Sequence, residues 1–100
     1  MLVVAGEIEI EAGQRDAGIA AALRMMEETR KEPGCITYAF TADLVDRGRF
    51  RIFEEWESQE ALDLHFAAPH MAAFQKDIAG LGVKRITVRR YEVTSVGPLR

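Results

Sequence analysis

FRIFEEWESQEALDLHFAAPHMAAF, from Phe50 to Phe74, runs a strand directly into a helix that breaks at a proline. Phe50, Ile52, Glu54 and Trp56 share one face by the two-residue period of a strand, and Arg51, Phe53 and Glu55 share the other. Ser58 follows as an N-cap, with Glu60 near the positive end of the helix dipole. Leu62, His65 and Phe66 then recur at i, i+3, i+4. Pro69 restarts the helix where a missing N–H costs nothing, ahead of an apolar stripe of Met71, Phe74 and Ile78. The lone tryptophan and both histidines lie in this stretch, so it carries most of the side-chain chemistry available to the chain.

On the N-terminal side, Leu2, Val4, Gly6, Ile8 and Ile10 alternate with Glu7, Glu9 and Glu11, a half-buried strand. Asp16 to Lys31 places Ile19, Leu23 and Met26 at helical spacing, and Pro33-Gly34 ends that helix. A second strand, Cys35 to Leu44, turns Ile36, Tyr38 and Phe40 to one side. Asp46-Arg47-Gly48 supplies a hairpin turn. Beyond the broken helix, Gly80 and Gly82 lead into a last strand, Val83 to Val93. The order predicts an α+β fold of ferredoxin-like type, βαββαβ with an antiparallel sheet and its helices on one side. Residues 1–94 are expected to form one domain and residues 95–100 a loose tail.

Composition narrows the function. At 48% hydrophobic and 29% charged residues with net charge −3, the chain has no broad attraction for nucleic acid or anionic membrane. The basic cluster Arg47-Gly48-Arg49-Phe50-Arg51 reads as a solvated turn. The amino terminus is apolar for five residues only, too few for a leader or a span, so a cytoplasmic location is expected. A single cysteine, Cys35, excludes an internal disulfide and reads as a small packed side chain. Two histidines five residues apart with no third ligand nearby argue for no metal. Strands two to four carry apolar residues on both faces while helices cover one, so the open face is expected to pair with a second copy as a homodimer.

Glu32-Pro33-Gly34-Cys35 with Tyr38, then Glu54-x-Trp56-x-Ser58 with Leu62, His65, Pro69-His70-Met71 and Phe74, resembles the antibiotic biosynthesis monooxygenase family, particularly its small quinol-monooxygenase-like members. The resemblance implies a dimeric α+β barrel with a pocket between sheet and helices in each subunit. It also implies, for some members, oxygenation of anthrones, quinols or other electron-rich aromatics with O2 and no cofactor. The chain contains no asparagine, which related haem-degrading and some anthrone-oxidising members use, so that part of their catalytic set has no counterpart here.

A cofactor-free oxygenase needs a base near neutral pKa in a dry pocket, since an aromatic hydroxyl must lose its proton before giving an electron to O2. His65 is the candidate base and His70 a second polar contact or orienter. Trp56, Tyr38, Glu54, Phe66, Met71 and Phe74 are candidates for lining a small aromatic substrate, with Met25 and Met26 beside them. Trp56 also reads as core, and either histidine as a packed residue bonded to backbone or carboxylate. Glu54 on an apolar face needs a partner, for which Arg85, Arg89 or His65 is available. Two other functions fit the same residues: isomerisation of a small carbonyl compound, and non-catalytic binding of a small aromatic ligand by a dimeric module.

Overall fold

A computed structural model describes all residues 1–100 and has the expected order of elements: β1 (Leu2–Glu9), α1 (Arg15–Thr29), β2 (Cys35–Ala42), β3 (Arg49–Trp56), α2 (Gln59–Phe66), α3 (Pro69–Ala79) and β4 (Arg85–Glu92). A short 3-10 turn at Ala12–Gln14 leads into α1. The four strands form one antiparallel sheet in the order β2-β3-β1-β4, the ferredoxin-like arrangement. The Ser58 side chain caps α2 by accepting from the Ala61 N–H at 3.1 Å, and Pro69 occupies the first turn of α3. No helix is long and apolar enough to cross a membrane.

Register places each side chain on its face. Val4 lies opposite Glu54 on one side and Arg90 on the other, so Leu2, Val4, Ile8, Phe50, Ile52, Glu54 and Trp56 all point at the helices. Two buried clusters result. One end of the sheet gathers Leu2, Val4, Met25, Tyr38, Ile52, Trp56 and Leu62; the other gathers Ile8, Ile10, Phe50 and Leu81. Trp56 is fully buried, and a large apolar side chain so placed contributes roughly 1.5–3 kcal/mol.

Three expectations change. In α1 the buried stripe is Gly18, Ala21, Ala22, Met25 and Thr29, one position out of phase with Ile19, Leu23 and Met26, and Leu23 is exposed. Small residues form the contact because the helix lies close to the sheet: a Cβ on Gly18 would meet Ile10 Cδ1 and the Phe50 ring. In β2 an irregularity between Cys35 and Thr37 re-phases the strand, so Cys35 faces the core beside Trp56 and Ile36 is exposed. The last strand is shorter than Val83–Val93, and every residue of it is exposed, because no helix packs over that edge and only Gln59 at the start of α2 meets it, through the Arg90 side chain. Ile86 and Val88 on its helix side and Tyr91 on its open side stand bare.

The two arginines that open β3 are matched by acids. Arg49 lies within ion-pair distance of Glu7, Glu9 and Asp46, and Arg51 of Glu7 and Asp43, which leaves no concentrated positive patch.

Candidate functional site: a buried histidine held by a carboxylate

The chemistry collects at the Leu2–Trp56 end of the sheet. His65 comes in from α2 and is 1% exposed. Its ring centroid lies 4.8 Å from that of Trp56 and 5.4 Å from that of Tyr38, so its environment is aromatic on two sides. Nδ1 of His65 sits 2.7 Å from Glu32 Oε2, and Nε2 of His70 sits 2.8 Å from the same oxygen. A carboxylate oxygen only accepts, so both ring nitrogens donate to it. In a neutral His65 the proton is then on Nδ1 and the lone pair on Nε2. That Nε2 is buried and has no hydrogen-bond partner.

Glu32 reaches this position through the turn after α1. Gly34 follows it at φ +83°, a left-handed conformation that other residues adopt at a cost, and a Cβ there would collide with Ala61 of α2. The Glu32-Pro33-Gly34 turn therefore lies tightly against α2, which brings its carboxylate under both histidines. Glu32 was legible as part of a motif but not as a partner: the contacts span 33 and 38 residues of chain.

Burial lowers the basicity of His65 and the Glu32 carboxylate opposes that shift, the burial effect being the larger. The same dry surroundings push the Glu54 carboxyl up to about 7, against a contribution from the Trp56 N–H that holds it down. Burial also drives the Tyr38 hydroxyl well above its usual range and the Cys35 thiol up to about 11, with Glu54 and Glu32 adding to both. Tyr38 thus stays a neutral hydroxyl and Cys35 an inert thiol at physiological pH.

The partner of Glu54 is Trp56, whose Nε1–H donates to Oε1 at 2.8 Å; Arg85, Arg89 and His65 do not supply it. The register explains the arginines, since Val4 pairs with Glu54 and Arg90, which puts Arg85 and Arg89 on the opposite face. Phe66 also departs from expectation. The inward stripe of α2 runs through Ala61, Leu62 and His65, and Phe66 lies roughly 90° round from its centre at 100° per residue, leaving it 58% exposed. Met71 and Phe74 are partly buried against the clusters, and Phe74 stacks at 5.4 Å on Phe40. His70 contacts Glu32, while its ring lies 5.9 Å from that of His65.

Contrary to expectation, the two histidines have a third potential ligand beside them in Glu32. Ligand atoms of Glu32, His65 and His70 all lie within 4.8 Å of one another.

Open space does not coincide with the histidine. An apolar void of about 20 Å³ lies at the other end, among Ile8, Ile10, Phe40, Phe50, Phe74 and Leu81, room for about one water. Nearer the site, a groove of about 160 Å³ between α1 and α3 is walled by Met25, Glu28, His70 and Phe74, with the Arg24–Asp77 ion pair alongside.

The model of the antibiotic biosynthesis monooxygenase family matches residues 1–77. An uncharacterised Synechocystis protein, sll1783, is 33% identical over 98% of this chain and 67% of its own length. The Escherichia coli protein named Probable quinol monooxygenase YgiN is 31% identical over 80% of this chain and 86% of its own. Among solved structures, a Deinococcus radiodurans protein superposes with a TM-score of 0.92 at 24% identity, covering 100% of this chain and 99% of that one, a likeness of fold. With the motif residues, the fold and a family match over three-quarters of its length in agreement, the chain belongs to the antibiotic biosynthesis monooxygenase family.

Proposed function

We propose that the protein is a cofactor-free monooxygenase that oxidises a small electron-rich aromatic, a quinol, phenol or anthrone, with His65 as its base. One observation carries this reading: His65 Nδ1 is anchored on Glu32, while Nε2 is buried and unpartnered against Trp56 and Tyr38. Glu32 fixes the tautomer and the ring orientation, and the apolar surroundings keep the ring unprotonated and able to accept.

In the proposed reaction the substrate hydroxyl, or the C–H that enolises to it, gives its proton to His65 Nε2, and the anion reduces O2. For a diaryl CH2 going to C=O the substrate loses four electrons. One oxygen atom becomes the carbonyl and the other leaves as water with the two hydrogens, so no external reductant is required. The YgiN relative's name supports substrates of quinol type. Access is assigned to the α1–α3 groove, where His70 and Phe74 are half-buried and the buried Met25 lies at the floor. Since the rings around His65 pack against one another, substrate must displace side chains there, and the flexible Met25 and Met71 are suited to that.

The same reading pairs two copies through the open sheet face, where Phe53 and Tyr91 are exposed beside Val3, Ala5 and Ala39. Sedimentation velocity at micromolar concentration should then show twice the 11.2 kDa chain mass; a single monomeric species would refute the pairing.

The deciding test is oxygen uptake by metal-stripped protein with reduced naphthoquinols and anthrones, corrected for autoxidation. Uptake above background that falls about 10²–10⁴-fold in a folded His65→Ala variant is expected for loss of a general base. Full turnover in that variant would rule His65 out.

A further inference from the structure

We propose that Glu32, His65 and His70 form a binding site for a divalent first-row transition metal ion, reached from the α1–α3 groove. Two imidazole nitrogens and a carboxylate are the donor set such ions take, in preference to magnesium or calcium. The atoms are already gathered: Nδ1 of His65 and Nε2 of His70 stand 2.7 and 2.8 Å from one Glu32 oxygen, and all ligand atoms lie within 4.8 Å. Around an ion with bonds of about 2.0–2.1 Å, neighbouring ligand atoms stand roughly 3 Å apart. The oxygen therefore moves out by a few tenths of an ångström, the two imidazole nitrogens, at opposite ends of the 4.8 Å span, close toward each other by more than an ångström, and the ion takes the place of the two hydrogen-bond protons.

The fold allows that adjustment and a route in. His65 is locked in the core, but Glu32 and His70 retain side-chain exposures of 14% and 20%. His70 begins α3 immediately after Pro69, and its ring walls the groove together with Glu28 and the Arg24–Asp77 ion pair. Three protein ligands leave at least one coordination position for water, the pattern of an open site rather than a closed structural one. His65 Nε2 has no acceptor of its own to orient the ring further, which limits the site to exchangeable binding.

Occupancy has a consequence that rests on the reading of His65 as the base. A metal on Nδ1 leaves the neutral ring's single proton on Nε2, so the atom that should accept the substrate proton becomes a donor. Metal and base function then exclude one another at the same ring.

Chelator-treated protein titrated with Co(II) tests the site without reference to turnover. A saturable visible absorption with one ion per chain, displaced by Zn(II) and weakened at least tenfold in both His70→Ala and Glu32→Gln, is expected. Circular dichroism confirms that each variant is folded, and His70 is the safer position because its half-buried ring opens on the groove. No saturable Co(II) spectrum, or unchanged affinity in both folded variants, would overturn the site. Where oxygen uptake is found, one equivalent of Zn(II) should abolish it, and full uptake by Zn-saturated protein would overturn the exclusion. Where no uptake is found, the Co(II) titration still decides the metal site, so failure of the oxygenase reading and failure of this one remain separable.

Discussion

The two ends of the sheet are built from the same strands and packed under the same helices, yet they differ in kind. Around Ile8, Ile10, Phe50 and Leu81 every inward side chain is apolar, and a void of about 20 Å³ is left among them. Around Leu2, Trp56 and Tyr38 the core closes on Glu54 and His65, with Glu32 and His70 beside them. Within the core, free volume thus sits away from His65, around which packing is full, and the groove of about 160 Å³ meets the polar end only at His70. A buried polar group keeps its place only when surrounding contacts hold it. In the polar end those contacts are the Trp56–Glu54 hydrogen bond and the shared Glu32 oxygen, so it is specified by pairings, whereas the apolar end is specified by shape.

Breaking the polar end should have the largest effect. Trp56→Ala is expected to cost about 3–5 kcal/mol in denaturant unfolding, because it removes the fully buried ring and leaves Glu54 without its donor. A loss no greater than that of an aliphatic truncation at the apolar end would show that the pairing contributes nothing.

Next in size is the pH response. Glu54 is raised from 4.5 to about 7, so its contribution to stability is complete below its unfolded value and is lost as pH rises through about 7. The loss amounts to roughly 3 kcal/mol at one pKa unit per 1.36 kcal/mol. Glu54→Gln keeps an acceptor for the Trp56 N–H and should flatten this slope, making the variant the more stable one at pH 8. An unchanged slope between pH 4.5 and 7 would mean that Glu54 ionises freely in the folded protein.

Glu32→Gln sharpens the comparison from the side of function. Loss of the charge that orients His65 should lower kcat about 10–100-fold with KM nearly unchanged. It should also move the acidic limb of the pH–rate profile, where His65 loses its proton and becomes active, to lower pH, because Glu32 raises the His65 pKa. A purely structural role would leave that limb in place. The smallest effect belongs to the other end, where Ile8→Val is expected to cost about 0.5–1.5 kcal/mol and leave turnover unaltered.

How far the chain could be read without its fold varies by residue. Strand faces in β1 and β3 followed from alternation alone, and the Ser58 cap and Pro69 restart were placed by their local chemistry. The burial of His65 and Trp56 was legible for the same reason. Ile36 and Phe66 were misplaced because a bulge and a helix rotation each shift a face without changing the sequence pattern. In α1 the larger residues suggested the core stripe, but close approach to the sheet selected Gly18, Ala21 and Ala22.

Periodicity, caps and breakers act over a few residues, and they were enough to set the βαββαβ order, the strand faces and the pair of imidazoles on a broken helix. What those imidazoles meet was settled elsewhere. Glu32 lies more than thirty residues away, and only the left-handed turn at Gly34 packed against Ala61 carries its carboxylate to both rings. Which arginines face Glu54 was likewise a matter of register between strands distant in the chain. Pairings of this sort depend on how separate elements dock, and docking is a property of the packed chain as a whole rather than of any stretch within it.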